Sequence, residues 1–209
     1  FYSYKGGVGR TLALANVAYC LATDRHEPCK VLLWDFDLEA PGLQQVLHCK
    51  WGQKKLGFID LVFHFIKTHE VPSIADYIHH TDVPGVDILP AGLMNRNYSA
   101  KFAQLNWRDL YHQLQGFTFV EKVKMQLSAH KPQYDYILID CPPNLGILTI
   151  NAIRAAGEII IPVEASRFSL EGLSQLTSIV NLIKERLNHN VDSRVLVTNF
   201  DSRLQHSFK

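Results

Sequence analysis

The chain has 209 residues, of which 47% are apolar and 20% are charged. This length suits one domain or slightly more, and the composition is typical of a globular protein, which excludes a disordered or collagen-like chain. With 21 Lys+Arg against 20 Asp+Glu, the formal net charge is +1. Any contact with nucleic acid would therefore depend on a local patch or on a dimer face, not on overall charge.

Two features of the sequence predict a cytoplasmic protein. No apolar run approaches the roughly 20 residues that cross a bilayer, so we expect no membrane segment, and no charged-then-apolar signal opens the chain. The four cysteines are scattered without a C-x-x-C pair, which is typical of free thiols in a reducing compartment. Since the chain begins without methionine and contains no linker or repeat, we predict a single domain over residues 1–209 that is trimmed at both ends.

Short β-rich apolar segments alternate with helical patterns along the chain. The segments with strand composition are Phe1–Tyr4, Val31–Asp35, Val86–Leu89, Tyr136–Asp140, Glu158–Val163 and Arg194–Thr198. Apolar residues at helical spacing predict helices over Leu12–Ala22, Phe58–Lys67, Leu105–Leu127 and Leu170–Leu187. Alternation of this kind is typical of βαβ crossovers. We therefore predict an α/β fold with a mainly parallel central sheet and helices on both faces.

A glycine-rich segment between the first strand and the first helix predicts a phosphate-binding loop. It runs Tyr4-Lys5-Gly6-Gly7-Val8-Gly9-Arg10-Thr11. Glycines allow positive φ angles and close backbone approach, so successive N–H groups can surround a phosphate, and the following helix adds its dipole. Thr11 would ligate Mg²⁺ and Arg10 would contact the β- and γ-phosphates. A dinucleotide fingerprint fits poorly, because Leu12 stands where the third glycine is needed.

Four motifs in chain order resemble those of the ParA/MinD-type ATPases. The loop resembles their deviant Walker A motif in its KGGVGR form, and Asp35-Phe36-Asp37 resembles the first switch. Asp140-Cys141-Pro142-Pro143-Asn144-Leu145-Gly146 resembles Walker B and the second switch. Ile161-Pro162-Val163, followed by Phe168-Ser169-Leu170-Glu171-Gly172-Leu173, is similar to the partitioning ParA branch in particular. The resemblance covers nearly the whole chain and implies a P-loop NTPase fold of the deviant Walker A class.

The resemblance also implies roles for individual residues. ATP would be bound by Lys5, Gly6, Gly7, Val8, Gly9, Arg10, Thr11 and Leu12, with Asn199 and Asp201 near the base. Thr11, Asp35 and Asp140 would hold Mg²⁺ and its water shell. Asp37 would orient or deprotonate the attacking water, with Arg10 beside it on the phosphates. Lys5 would reach across a dimer interface to the partner's nucleotide.

The chain departs from the family pattern at two places. Arg10 stands where most relatives have the P-loop lysine. A guanidinium is always charged and binds phosphate as a fork, whereas an ammonium is a compact rotatable charge, so the exchange could preserve binding and alter hydrolysis. The first switch continues as Leu38-Glu39-Ala40-Pro41-Gly42 in place of a shorter Pro-Gln-Gly pattern, so no role is carried over to Glu39.

These features predict an ATP-hydrolysing molecular switch that cycles between a monomer and an ATP-sandwich homodimer and positions or partitions DNA or another cargo. The resemblance implies slow turnover stimulated by a ParB-like partner, non-specific DNA binding and association with the nucleoid. One alternative is a non-hydrolysing regulatory subunit that holds ATP as a structural ligand. Another is an ATP-driven factor for metal-centre assembly, which the lack of a paired cysteine motif disfavours.

Overall fold

The computed structural model describes residues 1–3, 6–129, 133–164, 177–178, 180–182, 184–186, 188 and 191–199. The helices are α1 (Arg10–Ala22), α2 (Leu43–Val46), α3 (Phe58–Thr68), α4 (Arg96–Gln104), α5 (Leu110–Gln113), α6 (Thr118–Ala129) and α7 (Ile147–Ala155), with a 3₁₀ turn at Ile74–Tyr77. The strands are β1 (Val31–Asp35), β2 (His79–His80), β3 (Val86–Leu89), β4 (Tyr136–Asp140), β5 (Glu158–Glu164) and β6 (Asp192–Thr198). Residues 177–178, 180–182 and 184–186 are also helical.

The sheet is mainly parallel, as the alternating pattern predicts. Four strands lie in the order β2-β3-β1-β4, in which β1 is parallel to both β3 and β4, and only the short β2 is antiparallel. Strands β5 and β6 form a second parallel pair. Asp35 at the end of β1 is in register with Asp140 at the end of β4. The predicted α/β fold is therefore confirmed, and two of the predicted site carboxylates lie at one edge of the sheet.

The first three residues link the two sheets without forming a strand. The carbonyl of Phe1 accepts a hydrogen bond from the Cys141 N–H at 3.1 Å, and the Tyr2 N–H donates to the carbonyl of Ile160 at 3.0 Å. The amino group of Phe1 also donates to the carbonyl of Ile139 at 2.7 Å. Residues 1–3 still have no strand assignment, so the prediction of a strand over Phe1–Tyr4 is wrong for the described residues; Tyr4 lies outside the described part. The segment nevertheless leads the chain from the sheet interior to the glycine loop.

Strand β1 is buried on both faces, and its alternating side chains enter two different cores. Leu32 and Trp34 pack with the aromatic side chains around Phe58, and the Trp34 and Phe58 rings meet edge-on at 5.5 Å between centroids. Leu33 faces the other way, against the buried face of α1 that includes Leu14. The apolar stripe of α1 thus fixes the start of that helix beside the ends of the central strands.

One predicted helix, Leu105–Leu127, is divided in the structure into α5 and α6. Gln115 and Gly116 between them have φ angles of 52° and 65°, and a right-handed helix cannot continue through left-handed residues. Helix α4 was not predicted. It begins after Asn95, whose side-chain oxygen accepts a hydrogen bond from the Tyr98 N–H at 3.0 Å, which is a typical N-cap.

The remaining predicted elements agree with the structure to within two residues at their described ends. Helix α1 begins at Arg10, two residues before the predicted start, and β6 begins at Asp192, two residues before Arg194. Most of the predicted helix over Leu170–Leu187 lies outside the described residues. Within the part of the chain that the structure describes, no helix combines the length and the apolar character needed to cross a membrane.

Candidate functional site

The glycine loop leads into α1 and leaves open space at its surface. Gly7 and Gly9 have φ angles of 77° and 76°, and a Cβ built at either position would meet no atom within 4 Å. The backbone angle, not crowding, therefore requires glycine at these two positions. Gly9 precedes α1. The first N–H groups of an α-helix have no intrahelical partner, and no side chain caps those of α1. The loop thus has the backbone geometry of an anion-binding site.

The Arg10 side chain turns inward from this loop onto two carboxylates. Its Nε donates to Oδ1 of Asp140 at 2.7 Å, and Nη2 donates to Oδ2 of Asp37 at 3.0 Å. A third nitrogen, Nη1, donates to the hydroxyl of Ser3 at 3.3 Å. Arg10 is only 8% exposed, so these are charge-assisted bonds in a largely desolvated setting. The predicted contact of Arg10 with phosphate stays a prediction, and in this structure the guanidinium is the counter-ion of the two carboxylates.

Thr11 lies beside the same carboxylate from the first turn of α1. Its hydroxyl donates to Oδ2 of Asp140 at 2.6 Å, so both oxygens of Asp140 accept hydrogen bonds from α1. Leu12, the next residue, has a side chain that is 59% exposed, and only its backbone can take part in the predicted cradle. The hydroxyl of Thr11 is thus already aligned with the end of β4.

Asp35 is completely buried, and one of its oxygens has no partner. Oδ1 accepts a hydrogen bond from the Asp37 N–H at 3.0 Å, whereas Oδ2 has no hydrogen-bond partner. Burial, together with the negative charge of Asp140, raises the pKa of Asp35 well above its ordinary value. An unpartnered buried oxygen normally costs free energy, and this atom is available to a ligand, so the cation role of Asp35 stays a prediction.

The oxygens of Thr11, Asp35 and Asp140 fit a hard divalent cation such as Mg²⁺. Mg²⁺ prefers oxygen ligands, usually takes one or two carboxylates and keeps several waters. Asp35, which carries the unpartnered Oδ2, is directly opposite Asp140 in the register of β1 and β4. Among the described residues, no three His, Cys, Asp or Glu side chains form a ligand set by themselves. A cation here would therefore need water or phosphate oxygens to complete its shell.

Asp37 lies in the first switch, and both of its carboxylate oxygens accept hydrogen bonds. Oδ1 accepts a hydrogen bond from the Ala40 N–H at 3.0 Å, while Oδ2 accepts from Arg10. The preceding Phe36 donates its N–H to the carbonyl of Asp140 at 2.9 Å, which continues the β1–β4 pairing by one bond. Each carboxylate oxygen can accept a second hydrogen bond, so the predicted role of Asp37 toward a water needs no loss of these contacts.

The two switch segments touch each other through a contact that the sequence did not indicate. Nδ2 of Asn144 donates to Oε1 of Glu39 at 3.2 Å. A cleft of ≈ 410 Å³ opens beside this contact, and its lining includes Leu38, Trp107 and Leu145. Because the contact is exposed, it can break and reform at little cost.

The far end of the described chain reaches the glycine loop. The Thr198 hydroxyl, at the end of β6, donates to the carbonyl of Val8 at 2.8 Å. Asn199, a predicted base contact, follows Thr198 directly and therefore lies next to the loop. Its φ angle is 51°. Lys5 and Asp201 lie outside the described residues. Sequence reasoning missed Ser3, Asn144 and Thr198 as site residues, and only their positions next to recognised motifs could have indicated them.

Comparisons with known proteins place the chain in a family. The AAA_31 family model, described as an AAA domain, matches residues 1–193. The chain is 33% identical to the sporulation initiation inhibitor protein Soj of Bacillus subtilis (strain 168), covering 95% of this chain and 71% of Soj. It is 30% identical to the chromosome partitioning protein ParA of Myxococcus xanthus, covering 95% of this chain and 63% of that protein.

A solved structure shows the same fold. Cobyrinic acid a,c-diamide synthase from Mycobacterium smegmatis, with a bound ATP analogue and magnesium, superposes with a TM-score of 0.71 over 98% of this chain and 75% of its own, at 23% identity. The family model covers most of the chain, and the two partitioning relatives each match 95% of it at 30% identity or more. The chain therefore belongs to the ParA/MinD-type P-loop ATPases.

Proposed function

We propose that this chain is an ATP-dependent molecular switch that hydrolyses ATP, dimerises around the nucleotide and positions or partitions DNA or another cargo. The observation that carries the proposal is the meeting of α1 with the ends of β1 and β4. There, Arg10 and Thr11 both contact Asp140, and Arg10 also contacts Asp37. A phosphate cradle, a cation site and a water-orienting carboxylate are thereby within reach of one bound triphosphate.

The backbone of the loop binds the phosphates in this proposal. A Cβ built at Gly6, Gly7 or Gly9 meets no atom within 4 Å, and no side chain caps the start of α1. A triphosphate bound there gains from the positive end of the helix dipole. Thr11, Asp35 and Asp140 would hold the Mg²⁺ that neutralises phosphate charge. Phosphoryl transfer requires mainly positioning and electrostatic stabilisation, with little covalent chemistry, so this set of groups is sufficient in kind.

Arg10 exchanges partners when the nucleotide binds. Without nucleotide its single positive charge offsets Asp37 and Asp140, which are otherwise buried. With Asp140 holding Mg²⁺, the guanidinium of Arg10 would be able to leave that carboxylate and reach the phosphates. Asp37 is released in the same exchange and orients the attacking water. The nucleotide thereby converts a closed set of ion pairs into a hydrolytic site.

Relatives and the family resemblance support the remaining parts of the proposal. The partitioning names of Soj-type and ParA relatives favour DNA as the cargo and a ParB-like protein as activator, in the cytoplasm and in association with the nucleoid. Lys5 contacts the nucleotide of the second subunit in the homodimer, and Asn199 and Asp201 lie near the base. Because the chain spans 71% and 63% of two of these relatives, the missing part of their length can carry further DNA contacts.

A second candidate is a regulatory subunit that binds ATP without hydrolysing it. The observation that favours it is the engagement of both oxygens of Asp37, by the Ala40 N–H and by Arg10. If Arg10 keeps its bond to Asp37 with nucleotide bound, the guanidinium offsets the charge of the carboxylate and makes it a weaker base toward water.

Phosphate release at saturating ATP and Mg²⁺, with and without DNA, separates these two candidates. Turnover above that of an Asp37→Ala control supports the switch ATPase, whereas tight ATP binding with release equal to that control supports the regulatory subunit.

Light scattering tests the dimer. Lys5→Ala should preserve ATP binding and lose the ATP-dependent dimer, because its phosphate contact is made to the other subunit. Lys54→Ala, which removes only an exposed pair with Asp76, is the matched control. An unchanged dimer in Lys5→Ala would show that Lys5 does not act in trans.

A further inference from the structure

We propose that Tyr98 of α4 is a positioning residue for the first switch. Its hydroxyl donates to the carbonyl of Leu38 at 2.7 Å, across 60 residues of sequence. Leu38 directly follows Asp37, so this bond fixes the backbone next to the carboxylate that orients water in the proposed function. The effect on catalysis rests on the proposed function, whereas the bond between Tyr98 and the carbonyl of Leu38 is a contact of the structure itself.

The Tyr98 ring has a space formed for it by glycine. A Cβ built at Gly92 would lie 2.7 Å from Cδ2 of Tyr98 and 2.9 Å from Cγ2 of Ile59, so no larger residue fits there without displacing the ring. Tyr98 is 5% exposed. Burial, followed by the negative charges of Asp35 and Asp37, raises its pKa, so the hydroxyl stays protonated and remains a donor at neutral pH.

Helix α4 is itself anchored and can serve as a fixed support. Its first turn is capped by Asn95, which accepts the Tyr98 N–H. Further along, Lys101 forms an ion pair with Asp60 of α3, and the other oxygen of Asp60 accepts the Gly57 N–H at 2.8 Å. The Tyr98 hydroxyl therefore projects from a helix that is fixed at both ends.

The Tyr98 bond becomes important when Arg10 leaves. Two side-chain bonds hold the first switch. Arg10 donates to Asp37, and Tyr98 donates to the carbonyl of Leu38. If Arg10 turns to the phosphates, the first of these contacts is lost. The Tyr98 hydroxyl then keeps Asp37 from drifting, because Leu38 is buried and its carbonyl has this partner in place. Tyr98 thus maintains the position of Asp37 during the exchange.

The test compares two tyrosine-to-phenylalanine variants that each remove one hydroxyl. Tyr98→Phe keeps the ring in its space and loses the bond to Leu38. Tyr134→Phe is the matched control, because its hydroxyl donates to Asp87 at 2.8 Å, and Asp87 pairs with Leu32 near the start of β1, away from Asp37. Hydrogen exchange of the amides of residues 36–40 and of Gly42 is measured on the chain without added nucleotide, and ATP affinity and kcat are measured beside it.

We expect exchange at Leu38, Glu39 and Ala40 to accelerate about tenfold in Tyr98→Phe and to stay at the wild-type rate in Tyr134→Phe. ATP affinity should change less than twofold while kcat falls at least fivefold.

Unchanged exchange of the first switch in Tyr98→Phe would overturn the proposal, as would an equal fall of kcat in the two single variants. A wild-type chain that releases no phosphate would instead contradict the proposed function, and the exchange rates would still decide the role of Tyr98.

Discussion

Arg10 and Asp140, which are 130 residues apart in sequence, form a buried ion pair at 2.7 Å between the start of α1 and the end of β4. The same guanidinium reaches Asp37 at 3.0 Å. One arginine thus joins the glycine loop to both motifs that carry the site's carboxylates. Both charges of the site's carboxylates at Asp37 and Asp140 are therefore offset by the same side chain.

Arg10→Ala should destabilise the nucleotide-free chain by about 3–5 kcal/mol, because it leaves two buried carboxylates without their counter-ion. ATP affinity, measured where the variant is folded, should fall by about one to two decades if Arg10 also contacts phosphate. Urea denaturation and nucleotide titration measure the two effects. Arg154→Ala is the control, because its 3.5 Å pair with Glu121 is partly exposed and should contribute at most about 1 kcal/mol. Equal losses in both variants would contradict the importance of the buried pairs.

Arg10→Lys distinguishes the ATPase from the regulatory subunit. An ammonium cannot bond to Asp37, Asp140 and Ser3 together as the guanidinium fork does. A lysine is therefore held less tightly by the carboxylates, and its ammonium can move more easily with the γ-phosphate. For an ATPase, turnover should change by less than about tenfold. A wild-type rate equal to background beside an active Arg10→Lys variant would show that the natural chain is a regulatory subunit. A phosphate-release assay at saturating ATP and Mg²⁺ gives the answer.

Asp37→Ala should abolish hydrolysis while ATP binding and the ATP dimer persist. The carboxylate orients water in the proposed function and makes no phosphate contact, so its loss should trap the dimer, as measured by light scattering over time. Asp82→Ala, at an exposed pair with Lys50, controls for loss of an acidic side chain. Loss of ATP binding without a trapped dimer would place Asp37 in the metal shell or in a purely structural role.

Asp35→Asn should change the pH dependence of stability. Because the pKa of Asp35 in the folded chain is raised above its ordinary value of 3.8, the folded state holds a proton that the unfolded state has released. Stability from this group is therefore full below the unfolded pKa and is lost as pH rises through the folded pKa, by up to about 1.4 kcal/mol per pH unit.

The asparagine variant lacks this decline, since it has no carboxyl proton to lose. Urea midpoints of the nucleotide-free chain between about pH 4.5 and 7.5 should fall with pH in the wild type and fall less in Asp35→Asn. Parallel pH profiles for the two proteins would show that Asp35 is ionised in the folded chain despite its burial.

Much of the fold was predictable because its signals are local. The continuous apolar run Val31–Asp35 is typical of a strand buried on both faces, and its predicted bounds are those of β1. The glycine loop was equally clear, since Gly7 and Gly9 do adopt the positive φ angles expected of them. The division of Leu105–Leu127 was missed although Gly116 is a break signal within the predicted helix. The left-handed φ of Gln115 has no such signal, because glutamine rarely adopts it.

The sequence by itself determined the α/β class, the loop and the order of the acidic motifs, because backbone preference and apolar periodicity act over a few residues. Only the tertiary structure decided what those residues contact. Arg10 meets Asp140, Tyr98 meets Leu38 and Thr198 meets Val8 across 130, 60 and 190 residues. Such contacts depend on how helices and strands pack in space, and no local pattern specifies the partner of a buried charge or hydroxyl.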